Sequence, residues 1–272
     1  MFLNRAASET QITHLSRMWL YVLCFLIVIF LVMPALLVIP MSFSESRFLE
    51  FPPRGFSFRW YTHYFGSIEW QAATFISFRA AILTALVATP IGTMAAYGLH
   101  VSTFPMNRFI QVALVTPIMV PVILVAIGIF FLYAKVGLNS TTPGLVMAHT
   151  VLAIPFVLVT VTAGLKSYDM NQELVARSLG ASRLRAFLTI TLPQIRFSVI
   201  SGALLAFITS LDEVVIALFI AGGEMSTLTK RMFNALRDEI DPTVAAISTL
   251  LILISVILLA LSQFLGQRQK KT

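Results

Sequence analysis

Apolar residues fill most of this chain in long runs broken by short polar stretches. Six runs, at 18–41, 74–99, 109–133, 145–165, 197–222 and 243–265, approach or exceed the length needed to cross a bilayer, for which about 20 apolar residues suffice. The first is too long for the apolar part of a signal peptide and lacks a small-residue cleavage site, so it reads as a retained helix. In the second, Ala80, Thr84, Ala88, Gly92 and Ala96 recur every fourth position. Such a stripe of small residues lets another helix approach closely. Pro117 and Pro121 interrupt the third run and Pro155 lies in the fourth. Asp241 followed by Pro242 forms an N-cap and first-turn pair for the sixth. Between the first two runs, the aromatic stretch 56–65 suits a short helix in the membrane interface. Leu228, Met232, Phe233 and Leu236 predict a small amphipathic helix between the last two.

The stretch 166–196 breaks the apolar rhythm. It carries Lys166, Arg177, Arg183, Arg185 and Arg196 against Asp169 and Glu173. Its apolar residues keep helical spacing: Val175 and Leu179, then Leu184, Phe187 and Leu188, with Gly180 between the two sets. Two short helices meeting at Gly180 would present an apolar and basic knuckle to a partner. A plain positive-inside loop lying on the membrane surface is the alternative.

Composition narrows the class. With 58% hydrophobic and 11% charged residues, the chain is too apolar for a soluble domain. Lys plus Arg number 19 against 12 Asp plus Glu, an excess that marks cytoplasmic loops in a membrane protein and does not call for nucleic acid. Summed over 1–17, the turn with Arg108, 166–196 and 266–272, 11 Lys/Arg stand against 3 acids, and over the segments opposite 8 against 7, the central loop and tail carrying most of the margin, so both termini are expected inside. The one cysteine, Cys24, has no disulfide partner within the chain. The four histidines show no metal-ligand spacing, and no P-loop occurs. No cofactor, metal or catalytic residue is expected.

Asp212 and Glu213 fall inside the fifth run. A mid-membrane carboxylate is costly, on the order of 2.5–3.5 kcal/mol on insertion scales, so it should face protein or water. Continued as one helix, the fifth run puts Glu213 on a face with Gly202, Ala206, Thr209 and Ala217. Asp212 then points with Leu205, Ile208, Ile216 and Phe219. Two roles stay open for these acids: an ion pair with Arg79, which enters from the same side, or contact with a solute on a translocation pathway.

The central loop resembles the cytoplasmic motif of bacterial ABC-importer permeases: Glu-Ala-Ala, three residues, Gly, nine residues, Ile, one residue, Leu-Pro. Gly180, Ile190, Leu192 and Pro193 match in register, with Val175 and Ala176 at the two alanine positions. Leu174 takes the place of the motif's glutamate, and Glu173 stands one residue earlier. The aromatic Arg-Trp-Tyr element and the Ser-x-Asp-Glu of the fifth run extend the resemblance over nearly the whole chain. It implies an all-α polytopic membrane protein, a MetI-like type I importer permease with six transmembrane helices (18–265), between a cytoplasmic segment 1–17 and a tail 266–272. It further implies a coupling loop, 166–196, whose Glu173, Val175, Ala176, Leu179, Gly180, Ala181, Ser182, Arg183, Ile190, Leu192 and Pro193 engage an ATPase. The implied partners are a cytoplasmic ATPase dimer that supplies ATP hydrolysis, a second permease forming a heterodimer, a periplasmic solute-binding protein and membrane lipid, in the bacterial inner membrane. Likeness is strongest to the second permease of spermidine/putrescine-type importers. A secondary transporter or a non-transporting membrane scaffold are the other classes.

Overall fold

The computed structural model describes residues 14–15 and 17–267, for Glu239 and 258–267 as backbone only. No strand occurs among the described residues, where Ser44 and Phe56 make an isolated bridge. Two units are distinguished: one takes residues up to 66 with 240–259, the other 67–239 with the rest of the last helix.

The first unit begins with α1, Met18–Ser42. It is apolar all round and leaves large side chains such as Phe25, Phe30 and Leu31 exposed, as expected of a helix solvated by lipid or a partner. The aromatic stretch forms α2, Arg59–Gly66, with Trp60 and Tyr64 buried one turn apart. The Tyr61 hydroxyl meets that of Ser42 at 2.7 Å, and His63 Nδ1 meets Thr243 Oγ1 at 3.0 Å. Asp241 Oδ1 accepts the Thr243 N–H at 2.8 Å and so caps the last helix, α13 (Thr243–Gln267).

The second unit is built on α3, Ile68–Val101, capped by Ser67, whose hydroxyl accepts the Trp70 N–H. Its 34 residues make about 51 Å of helix, more than the roughly 30 Å of hydrocarbon. Next come α4 (Asn107–Met119), α5 (Val122–Val136), α6 (Thr142–Ser167), α7 (Asn171–Ser178), α8 (Arg183–Ala186), a π-turn (Phe187–Thr191) and α9 (Leu192–Gln194). After these follow α10 (Arg196–Asp212), α11 (Val215–Ile220) and α12 (Leu228–Asn234), the last running into a second π-turn, Ala235–Glu239. The core is the contact of α3, α6 and α10. The predicted small-residue stripe of α3 is buried throughout, and Val157 of α6 sits in the groove it leaves. A Cβ added at Gly92 would lie 2.7 Å from Val157 Cβ, and one at Gly202 of α10 would lie 3.3 Å from Val157 Cα. Three helices therefore meet at one valine, where Gly92 leaves no room for a methyl group and Gly202 only a tight fit.

Two runs differ from a continuous helix. α4 and α5 meet at 97°, because Pro121 drives Val120 out of the helical region, to ψ 133°. The fifth run breaks at Glu213, which is extended (ψ 118°), and helix resumes only at Val215. The common face assigned above to Glu213 and Ala217 therefore does not exist. Among the described residues, α1, α3 and α6 are long and apolar enough to span, or five elements if each bent pair counts as one, with a shorter apolar stretch, Thr243–Ile257, in α13. Six crossings are compatible with this set.

Candidate functional site

The loop motif acquires a geometric meaning around Gly180. After α7 the chain turns with Gly180 at φ +93°. The Gly180 N–H donates to Arg177 O at 3.0 Å and the Ala181 N–H to Ala176 O at 3.1 Å. These two bonds define the Schellman stop, with glycine in the left-handed position and a six-to-one bond spanning it. Glycine at 180 is what that turn favours, since φ is +93° there. Ser182 then caps α8, its hydroxyl accepting the Arg185 N–H at 3.3 Å. Further on, Pro193 cannot donate and its ring presses on the preceding turn. The wide π-turn just before it, closed by the Leu192 N–H on Phe187 O, accommodates that strain.

The loop shows its apolar residues to the outside. Leu174, Val175, Leu179, Leu184 and Leu188 are all about half exposed or more, Leu179 at 84%. Gly180, Ser182 and Arg183 are also exposed, Ala176, Ala181, Ile190 and Leu192 partly so. Glu173 departs from its expected place on the partner-facing surface: it is 2% exposed and points inward. Its Oε1 accepts the Tyr97 hydroxyl and its Oε2 the Thr191 hydroxyl, each at 2.5 Å. One carboxylate thus ties α7 to the end of α3 and to the second limb of the loop. Tyr97 also packs on Phe187, ring centroids 4.5 Å apart. Nothing in the sequence links Tyr97 to a residue 76 positions away.

The second constellation lies at the α10–α11 break. Asp212 is exposed, whereas Glu213 is buried. Glu213 turns its carboxylate onto the start of α11, where Oε1 accepts the Ile216 N–H at 3.0 Å and Oε2 the Ala217 N–H at 3.1 Å. An acid at a helix N-terminus is favoured by the helix dipole and satisfies N–H groups without another partner. Lys230 closes the other end of α11, its ammonium donating to Leu218 O at 3.2 Å and to Ala221 O. Burial lowers the Lys230 pKa from its ordinary value. Ser140 adds its N–H to Ile220 O at 2.7 Å and accepts the Gly222 N–H at 3.1 Å.

Arg79 is not part of this arrangement. It is exposed on α3, and the ion pairs among the described residues do not include it. The side chain facing Glu213 is instead His149 of α6, with Nε2 3.8 Å from Oε2, beyond hydrogen-bond range. His149 Nδ1 meets Ser210 Oγ at 2.7 Å, and Ser210 donates to Thr84 Oγ1 at 3.3 Å. A buried polar chain thus links the three core helices to the break. A lone histidine within an apolar span was the signal for it. Among the described residues no three His, Cys, Asp or Glu side chains gather as a metal site.

Residues 88–271 match the family described as binding-protein-dependent transport system inner membrane component. The chain is 30% identical over 244 residues to the spermidine/putrescine transport system permease protein PotC of Haemophilus influenzae, covering 90% of this chain and 95% of that protein. It is 30% identical over 241 residues to the putrescine transport system permease protein PotI of Escherichia coli K12, covering 86% and 85%. The fold matches a chain in the crystal structure of a bacterial ABC transporter involved in the import of the acidic polysaccharide alginate, with TM-score 0.68 at 14% identity over 97% of this chain and 99% of the other. These relatives do not favour a secondary transporter or a scaffold.

Proposed function

The chain belongs to the inner membrane components of binding-protein-dependent transport systems, and from that premise we propose that it is one permease of an ATP-driven importer for polyamines. A cytoplasmic ATPase dimer hydrolyses the ATP, a second permease completes the pathway as a heterodimer, and a periplasmic binding protein delivers the solute. Both termini lie in the cytoplasm. The exposed apolar knuckle around Gly180, within 166–196, is the ATPase contact. This reading is carried by one observation: the loop exposes Leu174, Val175 and Leu179 beside Gly180 while its base is fixed by Glu173 to α3. A surface that exposes apolar groups on a rigid support is built for docking. Force applied there has two routes inward, through the Glu173–Tyr97 contact to α3 and through the 79° bend into α10.

The solute class rests on the resemblance to PotC and PotI. Of the two acids, Asp212 is the one free to meet an ammonium group, since it is exposed while Glu213 is engaged as a cap. Purification of the tagged chain from its native membrane tests the class, with ATPase, second permease and this chain expected in stoichiometric amounts. Uptake of labelled putrescine and spermidine by cells holding this importer alone tests the solute. A chain recovered without an ATPase refutes the importer; an intact complex that binds and carries neither amine refutes only the solute.

A further inference from the structure

Two cavities meet where the loop packs under α3. The larger, about 620 Å³, is walled by apolar side chains including Met94, Phe187, Leu188 and Val199. The smaller, about 250 Å³, is lined by His100, Arg177 and Arg183 beside Glu173. Arg183 belongs to both. Glu173 is already engaged by two hydroxyls, and neither Arg177 nor Arg183 has an acid within ion-pair distance among the described residues.

We infer that this paired cavity is a binding site for an anionic phospholipid of the inner leaflet, with the acyl chain in the apolar chamber and the phosphate between Arg177 and Arg183. The apolar chamber adjoins a pocket of unpaired guanidiniums through Arg183, which lines both, at the level where α3 ends and the second limb of the loop turns 79° from α10. Basic pockets beside membrane helices on the cytoplasmic side are suited to anionic headgroups, at about 1 kcal/mol per basic residue near the surface. A lipid held there braces the loop between the ATPase contact and the core, so coupling depends on anionic lipid. This inference rests on the cytoplasmic placement of the loop proposed above.

The test uses the assembled importer, stripped of lipid and titrated with phosphatidylglycerol or phosphatidylcholine, with retained lipid read by native mass spectrometry. Phosphatidylglycerol is expected to be preferred by about tenfold or more. Arg177→Gln with Arg183→Gln brings the two lipids close to parity, and Arg183→Lys keeps most of the preference. Equal retention by the unaltered complex, or undiminished preference in the double variant, overturns the inference. So does a cysteine at Met94 that cross-links to the second permease, since a protein segment then fills the chamber. The unaltered complex and Arg183→Lys decide the matter even if the double variant fails to assemble. A cysteine at Ser182 separates the two readings. Labelling from outside the cell removes the cytoplasmic loop and the lipid site together; labelling only from inside, with no lipid preference, removes the lipid site alone.

Discussion

Substitution of Gly180 separates a backbone requirement from a need for space. A Cβ at this position meets nothing within 4 Å, yet φ is +93°. Within the permease alone, the penalty of a side chain is therefore conformational. Alanine in the left-handed region is disfavoured by about 1–2 kcal/mol, and a β-branched valine by more, whereas asparagine tolerates that region better. If the turn opens, the bonds from Gly180 to Arg177 and from Ala181 to Ala176 are lost as well, each contributing about 0.5–1.5 kcal/mol. The docking-competent loop should then be depleted roughly 5- to 30-fold in the alanine variant and further in the valine variant. The expected order of damage is Gly, Asn, Ala, Val, least to most. The assay is the amount of ATPase retained by the purified complex, with uptake measured at matched expression. Wild-type uptake by Gly180→Val refutes a coupling role for the turn. Damage by Asn equal to that of Val refutes the backbone account and shows that the ATPase approaches too closely for any side chain.

Three other perturbations have definite outcomes. Tyr97→Phe removes a hydrogen bond to the buried Glu173 carboxylate and should destabilise the loop by about 1.5–3 kcal/mol, seen as faster amide exchange across 171–191 with the α3–α6–α10 core unchanged. Gly92→Ala drives a methyl group against Val157 and should lose about 1–3 kcal/mol in thermal unfolding of the detergent complex; joined to Val157→Ala, its loss should be smaller than the sum of the single losses, and strict additivity would disprove the contact. Glu213→Gln weakens the cap on α11 and should reduce the yield of folded complex, with about 0.5–2 kcal/mol lost as for other caps. Adding Arg79→Gln should restore nothing, and partial recovery would mean that Arg79 is the partner after all.

Apolar runs made the helices legible, because membrane spans must satisfy their backbones internally and so leave a long, regular trace in sequence. The stripe from Ala80 to Ala96 also pointed correctly to close packing, since all five of its small residues are buried and Gly92 lies against Val157. Breaks were harder. Pro121 announced an interruption, but its 97° turn depends on how α5 packs against α11. At Glu213 no proline or glycine warned of a break, because the signal was a side chain capping the next helix, and a helical-wheel projection assumes that away. The 166–196 loop was readable where its chemistry is local, in the Gly180 turn and the Ser182 cap. It was unreadable where Glu173 reaches Tyr97, for a buried acid beside exposed leucines looks like any surface acid until the fold supplies the other hydroxyl.

The short helix α11 separates what must stay fixed from what is free to change. Six residues cannot hold a helix by themselves, so its form is imposed from elsewhere in the chain: Glu213 at one end, Lys230 and Ser140 at the other. Ile216, Ala217 and Ile220 are buried and, with Val215 packed beside them, belong to that frame, while Leu218 and Phe219 keep exposed surface. Substitutions at these outward positions alter the size and character of the presented face without disturbing the bonds that define the helix. Evolution can therefore revise that face one residue at a time, on a helix whose shape is inherited from residues outside it.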